Sequence, residues 1–224
     1  MNLATWNMQG ASYSTENKWD TGVMNFFSTG AEMCCLQECG GVPASAILVD
    51  NNFGGVDDLQ YYTWGTERTN KHILFYPSDP NGKRCNLAIV AINNLPPVGG
   101  EIVYPSVGPV WRPALGYQID VNNFIFSMHC ISPNGADANG LLNEIDIVTA
   151  GPGNLWVAAG DFNREPGTMA ASPFNICPPN NYTYSVNNPN KMIDYGVKNW
   201  GPNILGTVQG LIMSDHYPVF FEIV

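Results

Sequence analysis

At 224 residues the chain suits one domain with a large core, and its formal charge of −10 argues against a general electrostatic grip on DNA, RNA or anionic membranes. Hydrophobic residues make up 45% and charged ones 12%, which excludes a disordered tail, and no apolar run approaches the roughly 20 residues that span a bilayer. The cysteines, Cys34, Cys35, Cys39, Cys85, Cys130 and Cys177, show no zinc-type spacing; buried thiols are the favoured reading, with disulfides open if the protein is secreted.

Residues 3–9 alternate as a strand that Gly10 ends. Ser14 or Thr15 could cap a helix with Glu16 in its first turn, and Trp19, Val23, Phe26 and Phe27 recur at helical spacing before Gly30. Residues 32–37 read as a second buried strand ending at Glu38, and residues 43–49 as a short helix with Pro in its first turn. Strands are predicted over 60–64, 72–76 and 85–92, the last two joined by a turn over 78–82. Residues 114–121 and 124–130 flank Asn122-Asn123, which suits a tight hairpin. Leu141, Leu142, Ile145 and Val148 predict a helix over 139–150.

Residues 155–159 form a short apolar run that reads as a buried strand, after which Gly160 allows a tight turn. Asp161 and Asn163 follow two residues apart, so in extended backbone their side chains share a face. On this segment alone an Asp/Asn turn is the commoner reading; a site for a hard cation or a phosphoryl oxygen is the other. Residues 168–190 are mostly turn-like, and 192–197 and 217–223 read as strands. There is no repeat and no clean boundary, so residues 1–224 read as one domain of sheets covered by helices.

Polar residues recur at the ends of apolar strands: Asn7, Glu38, His129, Asp161, Asn163, Asp194 and the pair Asp215-His216. Each alone has an ordinary explanation as a turn, an edge charge or a satisfied core histidine. Together they are chemically complete, with carboxylates and amides for a divalent metal, two histidines and nearby arginines, and loops at strand ends are where sites are built.

These blocks resemble the B subunits of cytolethal distending toxins, which belong with deoxyribonuclease I to the endonuclease/exonuclease/phosphatase superfamily. The resemblance is carried by Ala4-Thr5-Trp6-Asn7-Met8-Gln9-Gly10, Leu36-Gln37-Glu38, Arg84-Cys85-Asn86-Leu87-Ala88 and Arg112-Pro113-Ala114-Leu115-Gly116. It continues through residues 160–166, Ile193-Asp194-Tyr195-Gly196-Val197 and Ser214-Asp215-His216-Tyr217-Pro218-Val219, in family order. It implies an α/β fold, a four-layer sandwich of two mainly antiparallel sheets flanked by helices. It also implies Mg²⁺-dependent cleavage of DNA, with Mn²⁺ or Ca²⁺ able to substitute or assist, and a phosphoinositide phosphatase activity of the same site as the alternative.

Carried over by position, the resemblance makes Glu38 the principal metal ligand, with Asn7 and Asp215 near the metal. Asp161 and Asn163 would hold the phosphate or the attacking water. His216 would be the general base, oriented by Asp194, and His129 would donate to the leaving oxygen or stabilise the phosphorane-like state. Arg84, Arg112, Arg164 and Lys18 would contact phosphate as a cationic groove on an acidic body. The family further implies delivery subunits and a secreted toxin acting in a host nucleus, although no signal-peptide pattern opens this sequence. One departure concerns His129: the middle-strand glutamate that partners the acid histidine of deoxyribonuclease I has no counterpart over residues 68–72. Cys39 and Cys130 follow Glu38 and His129, where a buried thiol is the first reading and a disulfide between them the second.

Overall fold

The structure is a computed structural model that describes residues 1–10, 15–67, 69–79, 84–106, 111–169 and 172–223. In chain order the elements begin with β1 (Asn2–Asn7), followed by one helical run: α1 (Thr15–Asn17), a π-helical stretch (Lys18–Val23) and α2 (Met24–Ser28). Next come β2 (Met33–Gln37), β3 (Ile47–Asp50), β4 (Gln60–Trp64), β5 (Lys71–Tyr76) and β6 (Leu87–Ile92). Then follow β7 (Gly99–Val103), β8 (Ala114–Gln118), β9 (Asn123–His129), α3 (Ala138–Val148) and β10 (Leu155–Asp161). The last are β11 (Asn175–Cys177), β12 (Asp194–Lys198), β13 (Thr207–Val208) and β14 (Val219–Glu222). No helix among the described residues is long and apolar enough to cross a membrane.

The strands form an eight-stranded sheet, β13-β14-β1-β2-β6-β5-β4-β3, and a six-stranded sheet, β11-β12-β10-β9-β8-β7. Each sheet is antiparallel apart from one parallel pair, β1 with β2 and β9 with β10. Parallel neighbours need a crossover, and each pair has one: the helical run 15–28 in the first sheet and α3 in the second.

Both faces of each sheet are apolar because both are covered. In β1, Leu3 points to the inter-sheet core with Met33, Ile89, Leu115, Ile125 and Val157, while Ala4 and Trp6 point outward. There they meet Trp19, Val23 and Phe26 of the helical run. On the far side Leu141, Leu142 and Ile145 of α3 cover Phe126, Trp156 and Ala158. The period of two therefore separates two cores rather than core from solvent. This is the four-layer sandwich that the resemblance implied.

Several local expectations change. Residues 43–49 are not a helix: Ile47–Asp50 is the exposed edge strand β3, paired to β4 through Ile47↔Thr63. A partner strand and the β-branched Ile47 and Val49 outweigh the Pro43 signal. The tight hairpin at Asn122-Asn123 is a longer connection, because β8 ends at Gln118 and the Asp120 carboxylate accepts from both asparagine amides. Gly160 does not turn the chain. It lies inside β10, where a Cβ would overlap the Met128 carbonyl of β9. Strands β7, β11 and β13 were not anticipated. The Ser14 cap and most of the 78–82 turn lie outside the described residues.

Candidate active site

The topology places the polar strand ends on one rim. Parallel β1 and β2 run together, so Asn7 pairs with Gln37 and Glu38 follows directly. Parallel β9 and β10 put His129 beside Asp161, and antiparallel β12 brings its first residue, Asp194, to the other side of Asp161. His129, Asp161 and Asp194 are thus one row across the second sheet, on one face. His216 reaches the row from the first sheet, just ahead of β14. Its segment is fastened to β1 by the Ser214 hydroxyl donating to the Asn7 carbonyl (2.7 Å) and the Trp6 indole donating to the His216 carbonyl (3.1 Å).

The rim carries backbone conformations that L-residues rarely adopt. Gln9 (φ 54°), Glu38 (φ 47°), Asn134 (φ 72°) and Asn163 (φ 50°) line or border the site. Such strain persists where the surroundings over-determine it. It also corrects the extended-backbone argument for Asp161 and Asn163. The left-handed Asn163 folds back, its amide donates to Asp161 Oδ1 (2.7 Å), and its Nδ2 donates to Asp161 Oδ2 (3.1 Å) and the Cys130 carbonyl (2.9 Å).

A cavity of about 660 Å³ opens here, lined by Asn7, Glu38, Arg84, Arg112, His129, Asp161, Asn163, Arg164, Asp215 and His216 among others. Asp161 stands at its centre. Asn7 Nδ2 donates to its Oδ2 (3.0 Å), and the Nε2 atoms of His129 and His216 lie 3.7 and 3.9 Å from the same oxygen. Burial, then the neighbouring Asp194 charge, push the Asp161 carboxyl up to about 7 despite these donors.

The histidines differ in their partners. His216 Nδ1 faces both oxygens of Asp194 at 2.9 and 3.0 Å, which fixes Nδ1 as the donor and leaves Nε2 toward the cavity. Burial alone would lower its pKa, but Asp194, Asp161 and Asp215 outweigh burial and raise it to about 9. His129 is the reverse case: Arg112 Nη1 lies 2.7 Å from its Nε2. A guanidinium can only donate, so Nε2 accepts and the ring proton sits on Nδ1. That buried Nδ1 finds no hydrogen-bond partner among the described residues. Burial, then Arg112 and His216, hold the His129 pKa well below the usual histidine range. In this arrangement the cavity-facing nitrogen of His129 accepts from Arg112, which couples the histidine to the guanidinium.

The donor set can be tested against a divalent cation. Ligand-type atoms of Asp161, Asp194 and His216 lie within 4.8 Å of one another, yet the Asp194–His216 bond and the amides on Asp161 already occupy them. Glu38 and Asp215 are partly exposed to the cavity and offer hard oxygens, and Asn7 lines the cavity with them. Burial raises the Glu38 pKa against the pull of Arg84, Asn7, His216 and Arg112. Oxygen donors without a thiol fit a Mg²⁺-type ion that keeps part of its water.

Of the expected phosphate contacts, Arg84, Arg112 and Arg164 line the cavity, with Arg164 also bonded to Thr168. Lys18 does not. It is 5% exposed, its Nζ donates to the Met8 carbonyl (2.6 Å), and burial lowers its pKa against Asp215 and Glu38. A lysine fixed behind the carboxylates is not free to contact a phosphate. Tyr184 and Lys191 also line the cavity and escaped the sequence reading. The Tyr184 ring lies 4.8 Å from that of His216, but its stretch carries no periodicity to announce it. The cysteines are free thiols, and Cys39 Sγ donates to the Asn86 carbonyl, so Cys39 and Cys130 are not bonded to each other.

No family model matches the chain. The cytolethal distending toxin B subunit of Escherichia coli is 30% identical over 97% of this chain and 89% of its own length. The chain belongs to the family of cytolethal distending toxin B subunits. The crystal structure of the Haemophilus ducreyi cytolethal distending toxin superposes with a TM-score of 0.85 at 26% identity, covering 98% of this chain and 96% of that one. An endonuclease/exonuclease/phosphatase family protein from Leptotrichia buccalis shares the fold at 15% identity, with a TM-score of 0.67 over 100% of this chain and 99% of that one. The family's sandwich thus carries over to this chain even where the sequences have diverged.

Proposed function

We propose that residues 1–224 act as one catalytic domain, a Mg²⁺-dependent phosphodiesterase that cleaves DNA. The observation that carries this reading is the Asp194–His216 pair, which turns a histidine nitrogen toward Asp161 in a cavity that also holds Glu38, Arg84 and Arg112.

Asn163 and Asp161 hold the phosphate or the attacking water, Asn163 from its folded-back position and Asp161 as acceptor. A water oxygen forms the new bond to phosphorus while His216 Nε2 takes its proton, and Asp194 steadies the imidazolium that results. The bond to the leaving sugar oxygen breaks with its electron pair, and a solvent proton neutralises that oxygen. Arg112, held by His129, faces the charge that develops, and Arg84 and Arg164 contact phosphate oxygens. Glu38, with Asn7 and Asp215, would hold the cation, and Mn²⁺ or Ca²⁺ could take the same oxygens. Bound there, it would neutralise phosphate charge and oppose the carboxylate field that keeps His216 protonated.

The deciding experiment is supercoiled plasmid incubated with pure protein and Mg²⁺, beside His216→Ala. Nicking by the wild type alone supports the reading, and equal nicking by both proteins sinks it. Glu38→Gln should raise the Mg²⁺ needed for half-maximal nicking by about tenfold or more.

Arg164 and Lys191 add further cations to the cavity, which favours a second substrate, a phosphoinositide headgroup with several phosphates. Phosphate release from soluble inositol-lipid headgroups, faster than plasmid nicking at equal enzyme, would put this reading first. Because the relatives are named as toxin subunits, we also infer delivery by partner subunits and action in a host nucleus. Labelled protein excluded from the nuclei of intoxicated cells would contradict that inference.

A further inference from the structure

Of the chain's six tryptophans, Trp6, Trp19, Trp64 and Trp156 are buried and Trp200 is half-buried, whereas Trp111 is 75% exposed. An indole offers a large apolar surface, and the other tryptophans use theirs in the cores. Trp111 is anchored through the residues that follow it. The next residue, Arg112, is fixed by its bonds to His129 Nε2 (2.7 Å) and the Cys130 carbonyl (3.0 Å). Buried Pro113 follows, and then β8, which is paired to β7 from Ala114 onward. Adjacent Cα atoms are about 3.8 Å apart, so the exposed ring is rooted one residue from a guanidinium of the cavity.

We propose that Trp111 is a stacking platform for the base next to the phosphate that Arg112 engages, and that it gives the site a preference for unpaired DNA. The inference rests on the DNA-cleaving reading above and extends it. With a net charge of −10 the protein has little long-range attraction for a polyanion, so affinity must come from short-range contacts. Base–aromatic stacking supplies affinity without charge, and a base outside a duplex is not locked between stacked neighbours and can turn a face to the indole. A lipid surface fits less well. The indole stands without a Lys/Arg run around it, and the acidic body opposes an extended anionic plane more than a single strand entering the cationic cavity.

The test uses Mg²⁺-loaded protein in a His216→Ala background, which prevents cleavage. A short single-stranded oligonucleotide should quench the emission of Trp111 and bind about five-fold or more tightly than an abasic strand of the same length. Trp111→Ala should lose both the quench and the preference, and Trp111→Phe should keep the preference. Equal binding of the two strands, or a preference that survives Trp111→Ala, overturns the proposal. So does emission that responds to phosphoinositide-containing vesicles and not to the oligonucleotide. If the wild type cuts DNA but the His216→Ala form binds the two strands equally, the stacking proposal fails alone; if neither plasmid nor single-stranded DNA is cut, the DNA-cleaving reading fails.

Discussion

His216 and His129 approach the same oxygen of Asp161 from opposite sheets, at 3.9 and 3.7 Å, and are held in opposite ways. On the His216 side a carboxylate takes the rear nitrogen and leaves the front one to the cavity. On the His129 side the rear nitrogen has no partner among the described residues, and an arginine takes the front one. Two histidines of nearly equal burial thus arrive at pKa shifts of opposite sign. Position on a strand end does not assign a role; the partner on the second ring nitrogen does.

The comparison can be broken from either side. The largest effect belongs to His216→Ala, which should lower kcat/KM for DNA by about 10²–10⁴-fold; a loss below tenfold would show that the proton goes elsewhere. Asp194→Asn keeps the ring but loses the anion that selects its tautomer. We expect a loss of about 10–100-fold in kcat, with rates measured on the same plasmid. Arg112→Lys tests the other half. It keeps the charge and loses the planar fork that reaches His129 and the Cys130 carbonyl together, so activity should fall by about tenfold in all sequence contexts. A loss confined to particular base contexts would contradict a backbone-phosphate contact. The smallest effect should come from Lys18→Met. Its slope of log binding constant against log salt should match the wild type, whereas Arg112→Ala should reduce that slope by about 1.

Much of the site was legible because each residue ends an apolar strand with strong local signals. Asn7, Glu38, His129, Asp161 and Asp194 stand in or next to apolar runs, and the ordered family blocks, not the pattern alone, singled them out. What was not legible is long-range. Lys18 is one of the phosphate contacts that the resemblance implies, yet only the fold shows that its Nζ turns to the Met8 carbonyl. Tyr184 and Lys191 enter the cavity from a stretch without periodicity, through a bridge between Tyr184 and His216. The strand at Ile47–Asp50 exists because β4 lies beside it, which residues 43–49 do not announce.

The sequence by itself determined most of the strands, though not β3, β7, β11 or β13, together with the two crossover helices, the polar residues at the rim and, through ordered blocks, the family. The tertiary structure decided which of those residues touch. Asn7 meets Asp161 across 154 residues of chain, and His216 meets Asp194 across 22. Such contacts arise when two sheets pack face to face and bring their strand ends to one rim. Tautomer, charge and access are properties of those contacts, so residue identity alone cannot carry them.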